Sequence, residues 1–134
     1  MSTRLARMTV HWVLCAVLLS GGCNQADRAL CGGTAGQISI GGRAFADLQV
    51  NVFSNETVAP RRIAFGVSDH AGKFTLIDDD GQSAITLPSG SYRLTVESVA
   101  ADPIPVSPQY RATQTTPLVV EWSGSDGELV VEVH

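Results

Sequence analysis

Residues 92–99, Tyr-Arg-Leu-Thr-Val-Glu-Ser-Val, limit what this chain can fold into more than any other stretch. On an extended backbone Tyr92, Leu94 and Val96 fall on one side, and Arg93, Thr95 and Glu97 on the other. A period of two calls for a half-buried sheet, with one face in a core and one in water. Turn chemistry brackets this strand and its neighbours. Asp69-His70-Ala71-Gly72 and Pro88-Ser89-Gly90 carry residues that accept turn geometry or set it. Residues 66–99 therefore read as a β-hairpin, a short edge strand, a tight turn and one long strand.

The same pattern extends along the chain. Residues 37–40 form a strand with Ile38 and Ile40 inward, and Gly41-Gly42 fits a two-residue turn needing positive φ. Residues 48–53 alternate, with Leu48, Val50 and Val52 in and Gln49 and Asn51 out. Residues 61–67 place Ile63, Phe65 and Val67 on one face. Residues 73–77 are expected to pair back across the 69–72 turn and to bury Phe74 and Leu76. Residues 83–87 read as a short edge strand. Residues 118–122 and 129–133 end the chain, joined by a turn at 123–127. Segments of this kind recur roughly every ten residues, and no helical period competes. The expected fold is all-β: a seven- to eight-stranded antiparallel sandwich of two sheets packed face to face.

The first residues carry an address. Arg4 and Arg7 precede an apolar run, 10–19, that is too short to span a bilayer comfortably. The run ends Leu18-Leu19-Ser20-Gly21-Gly22-Cys23, which resembles a bacterial lipobox, although Ser20 stands where Leu is commonest. The resemblance implies a lipoprotein signal peptide over 1–22, with Cys23 lipidated and made the new N-terminus. It also implies a membrane anchor, since each buried CH₂ contributes about 0.8 kcal/mol. A plain secretory peptide cleaved near Gly22 and an uncleaved anchor are the alternatives. Asn24 follows Cys23 where an Asp would be the usual inner-membrane retention signal, so the resemblance favours the outer membrane. Residues 23–35 form a polar, Gly-containing tether whose span as coil is about 20 Å. With Cys15 removed and Cys23 lipidated, Cys31 has no intrachain partner.

The remaining chain, 36–134, resembles a carboxypeptidase-regulatory-like domain, of the transthyretin or prealbumin type, as found singly in small bacterial lipoproteins. The matching pieces are GQISIGGRAFADLQVNVF, GVSDHAGKFTL, LPSGSYRLTVES, the group Pro108, Tyr110 and Thr116-Pro117-Leu118, and the closing GELVVEV. Val67-Ser68-Asp69-His70-Ala71-Gly72-Lys73-Phe74 stands where family members commonly read V-T-D-x-x-G-x-F. The resemblance implies a prealbumin-like sandwich. It implies no single activity, because this fold serves as an accessory module in many settings.

Composition narrows the function classes. The chain has 134 residues and a formal net charge of −4, and loss of Arg4 and Arg7 with the leader shifts that to −6. An acidic module with one lysine, Lys73, lacks the basic patch that nucleic acid requires. Ser68-Asp69-His70 holds the residue types of a hydrolase triad, but neighbours along a turn cannot adopt a geometry assembled from distant segments. Asp78, Asp79 and Asp80 are weak calcium candidates. Asp69 cannot join them, because five strand residues separate the groups by about 17 Å. A Lys–Asn isopeptide bond is excluded, since the last strands contain no Asn. Asn55-Glu56-Thr57 is a glycosylation sequon by pattern alone. Prolines 103, 105 and 108 read either as a polyproline recognition segment or as a connection covering a sheet edge with Tyr110 as its anchor.

The sequence therefore leads to a lipid-anchored envelope module that is neither an enzyme nor a cofactor carrier. Its partner would be an envelope protein or polysaccharide, with no binding residue identified. The alternative is a small-ligand or carbohydrate-binding lipoprotein, for which Phe53 and Trp122 are the available aromatic groups.

Overall fold

The computed structural model describes residues 32–134 apart from Thr57, Ser125 and Asp126. The leader, Cys23 and the tether through Cys31 lie outside the described residues. Eight strands follow one another among the described residues: β1 (Ala35–Ile40), β2 (Leu48–Ser54), β3 (Arg62–Val67), β4 (Lys73–Thr75), β5 (Ile77–Asp78), β6 (Gly90–Ser98), β7 (Val119–Trp122) and β8 (Leu129–Val133). A short 3₁₀ turn, Pro108–Arg111, interrupts the connection between β6 and β7. One sheet has the order β4-β1-β8 and the other β5-β3-β2-β6-β7. Their inner faces share one apolar core in an all-β sandwich.

The core follows from alternation. Leu48, Val50 and Val52 from β2, Leu94 and Val96 from β6, and Ile38 from β1 are all fully buried. Tyr92, Leu129, Val131 and Val133 are nearly so. The β2–β6 ladder sets Val50 opposite Val96 and Val52 opposite Leu94, so apolar groups meet across one face. Burial of each such side chain contributes roughly 1.5–3 kcal/mol.

Several features of the topology differ from the sequence expectation. First, the sheets are not wholly antiparallel, because β1 and β8 run parallel, with Gly36 opposite Leu129 and Ile40 opposite Val133. Second, the 69–72 turn does not close a hairpin. Its turn bond forms, Gly72 N–H donating to Asp69 O at 2.9 Å, but β4 pairs with β1 while β3 pairs with β2. The expected strand 73–77 is split at Leu76, which is buried, and Ile77–Asp78 then pairs with β3. Third, 83–87 forms no strand; Ala84 makes one isolated bridge to Ile77. Likewise β7 and β8 belong to different sheets, so they do not form the expected hairpin. Gly41 and Gly42 do take positive φ, 57° and 78°, but β2 then joins the other sheet.

Phe74 explains the crossover at β4. Its ring occupies space that Cβ atoms on Gly36 and Gly66 would need. Gly36 lies on β1 and Gly66 on β3, so one ring is wedged between the two sheets with a glycine on each side. β3 accordingly turns its small residues, Ala64 and Gly66, to the core. Phe65 and Val67 take the outer face, and Val67 is 41% exposed. A register shift between Val52 and Phe53 leaves Ile63 without a ladder partner, and this bulge sets Arg62 opposite Phe53.

The domain begins slightly before residue 36. Ala35 is already in β1, and Thr34 is buried. Thr34 N–H donates to Ile85 O, its carbonyl accepts from Leu76 N–H, and its hydroxyl accepts from Leu87 N–H.

Candidate functional site

The turns that carry polar chemistry are committed to holding themselves together. Ser68 is buried, and its Oγ donates to Phe45 O at 2.7 Å and accepts from Leu48 N–H at 3.0 Å. It ties the start of β2 to the end of β3. Asp69 Oδ1 accepts from the backbone of Ala71 and Lys73, both at 2.9 Å, the self-capping typical of an Asx turn. His70 is exposed beside them. The three residue types of a triad thus share a turn without facing one another.

The acidic run at 78–80 is divided in the same way. Asp78 Oδ1 accepts from Gln82 N–H at 2.7 Å and Ser83 N–H at 3.2 Å, closing the turn in which Gly81 has φ 70°. Asp79 pairs with Arg62, and Arg62 also donates to Asn51 Oδ1 at 3.3 Å. Among the described residues no group of three or more His, Cys, Asp or Glu is placed to hold a metal ion. No described helix is long and apolar enough to cross a membrane.

The proline-rich connection is structural. β7 pairs with β6 only over Gly90–Arg93, and beyond Arg93 the connection takes over that edge. Leu94 N–H donates to Leu118 O, Thr116 Oγ donates to Leu94 O at 2.7 Å, and Ile104 N–H donates to Ser98 Oγ at 3.0 Å. Tyr110 is buried, and its hydroxyl exchanges hydrogen bonds with the His134 backbone. The edge-covering reading of 102–117 holds. Trp122 is also occupied: it packs on the core and its indole N–H donates to Leu87 O at 3.0 Å. Tyr92 donates its phenol to Pro88 O at 2.6 Å, and burial holds that phenol above the usual tyrosine pKa.

Two apolar surface features stand out among the described residues. A groove of about 480 Å³ opens between β4 and the β3–β5 pair, with Gly36, Val67, Phe74 and Ile77 forming apolar walls. Asp69 and the Lys73–Glu128 ion pair, 3.1 Å, stand among its lining residues. The second feature is β8, the longest of the outer strands, with no strand on the side away from β1 among the described residues. Its inward residues are Leu129, Val131 and Val133, and Val130 is 61% exposed on the outer face. Sequence alternation found β8, but its position at a sheet edge depends on a parallel pairing that local pattern does not encode. No family model, curated protein or solved structure matches the chain.

Proposed function

We propose that this chain is an exported, lipid-anchored envelope protein whose β-sandwich is a non-catalytic interaction module. The lipobox-like run supports attachment through Cys23, with Asn24 favouring the outer membrane, and the short stretch before Thr34 keeps the domain near the lipid surface. The resemblance to carboxypeptidase-regulatory-like domains supports an accessory rather than a catalytic role. The observation that carries the interaction reading is the outer edge of β8, a five-residue strand with no neighbour on one side among the described residues and with an exposed valine. Such an edge is a template for strand addition. The partner is an extended segment of another envelope protein paired along β8.

Site-specific photocrosslinking in cells tests this. A photoreactive residue at Val130 should give a discrete protein adduct, and the same residue at Val58, which is 83% exposed in a loop, should not. Equal labelling from both positions, or from neither, refutes the β8 reading. The groove beside Phe74 favours a second reading, a small-ligand lipoprotein. Its volume lies within the range of ligand sites, and thermal stabilisation by an apolar ligand, abolished by Val67→Glu at the groove wall, would support it.

A further inference from the structure

Arg93 sits on the outer face of an internal strand, opposite Phe53 on β2 and Val119 on β7. Its guanidinium is pinned by two neutral acceptors: Thr113 O at 2.8 Å and Asn55 Oδ1 at 3.2 Å. Asn55 is itself fixed by Ser91 Oγ at 2.9 Å. The other cations held on strands, Arg62 and Lys73, have carboxylate partners. Arg93 forms no ion pair among the described residues. A guanidinium carries five N–H donors, so Arg93 is a pre-oriented, half-exposed cation with donors to spare, in a chain of negative net charge. Half-buried Phe53 and Val119, which is 46% exposed, stand on either side as apolar platforms.

We infer that this patch binds a carboxylated sugar, with Arg93 gripping the carboxylate. A planar guanidinium pairs best with a carboxylate through two parallel hydrogen bonds. The apolar flanks suit the C–H faces of a sugar ring, and Asn55 and Ser91 offer groups that can both give and accept hydrogen bonds to hydroxyls. An acidic peptide is less well matched. β6 is paired on both sides, so its backbone is spent in the ladders and offers a peptide no strand to add to. Glu121, opposite Ser91, is the carboxylate nearest in register and makes no ion pair with Arg93. More distant carboxylates are screened at physiological salt, where the Debye length is about 8 Å. The site is independent of the β8 edge and of the lipid anchor.

Calorimetric titration of the purified full chain with trigalacturonate tests the inference, alongside the methyl ester of the same sugar and a short polyglutamate. Trigalacturonate should bind, and the ester should bind about tenfold to a hundredfold more weakly, the scale of a lost charge-assisted hydrogen bond. Arg93→Gln should reproduce that loss for the acid, and Arg43→Gln, an exposed charge change beside Phe45, should not. Equal binding of acid and ester overturns the inference, as does equal binding of polyglutamate or absence of binding at millimolar sugar. Because Arg93 also secures the β6–β7 connection, circular dichroism accompanies its variant. If Arg93→Gln unfolds, the acid–ester comparison on the unaltered protein decides alone.

Discussion

Adding one methyl group at Gly66 probes the wedge that holds the two sheets together. An ideal Cβ there would lie 2.7 Å from Phe74 Cδ2 and 2.8 Å from Thr75 O, closer than real Cβ contacts, so ring or strand must shift. Relieving glycine's backbone entropy would by itself stabilise by about 0.5–1 kcal/mol. Overpacking a filled core costs about 1–3 kcal/mol, so Gly66→Ala should destabilise by up to about 2.5 kcal/mol net. Gly36→Ala should cost more, because its added Cβ would clash more severely, meeting Cζ, Cε1 and Cε2 at the tip of the Phe74 ring. Phe74→Leu removes the ring edge, so Gly66→Ala should cost less in that background. Relief is partial because Thr75 O stays. Urea denaturation of the four proteins of the cycle should give a coupling above the 0.3–0.5 kcal/mol typical of independent sites. In a plain hairpin across the 69–72 turn, Gly66 and Phe74 would share one ladder, and Gly66→Ala would be neutral or stabilising. That result, with additive energies, would refute the wedge.

The register of β6 gives a second test. Leu94→Ala should cost about 2–5 kcal/mol, whereas Thr95→Ala should cost about 1 kcal/mol, the hydroxyl's bond from Asn51 Nδ2 at 3.3 Å; equal costs would mean the faces are reversed. Removing residues 104–107 should lower stability through exposure of the β6 edge, and urea midpoints unchanged from the parent would contradict the structural role of that connection. Tyr92 links stability to alkaline pH. Burial raises its folded-state pKa above the ordinary 10.0, so its contribution is complete below 10 and is lost as pH rises through the folded value. Tyr92→Phe should flatten that alkaline limb in pH-dependent denaturation, and an unchanged limb would assign it to other groups.

The long strands were legible because alternation is local, whereas 83–87, expected as an edge strand, forms none and 73–77 is broken at Leu76. Tyr92, Leu94 and Val96 face the core as their spacing requires, and so do Leu48, Val50 and Val52. The partner of each strand was not legible. Gly41-Gly42 and Asp69–Gly72 announce tight turns, yet turn chemistry fixes the local backbone and not the sheet that the next strand enters. The choice at 69–72 rests on Phe74 meeting two glycines from different strands, a three-body contact with no signature in any window. Outer-face burial was also hidden. Thr95, which alternation sends toward water, is 4% exposed beneath the hydrogen-bonded array of Asn51, Gln49 and Glu97. Thr34 looked like tether by composition, and its three hydrogen bonds reveal it as part of the folded domain. Ser68-Asp69-His70 shows the converse, a suggestive triple whose serine and aspartate serve backbone ties. Arg93 could be read as an outward charge, but its lack of a carboxylate partner among the described residues needed the neighbouring strands and the Thr113 carbonyl.

The lipid anchor is the premise on which the envelope reading stands, and the mass of the mature N-terminal peptide tests it most directly. Protein extracted from membranes of the producing cell should begin at Cys23 and carry a thioether-linked diacylglyceryl group, with or without an acyl chain on the amine. Cys23→Ser should abolish that species and shift the protein out of the detergent phase. An unmodified peptide starting beside Gly22, or one retaining residues 1–22, would contradict the account.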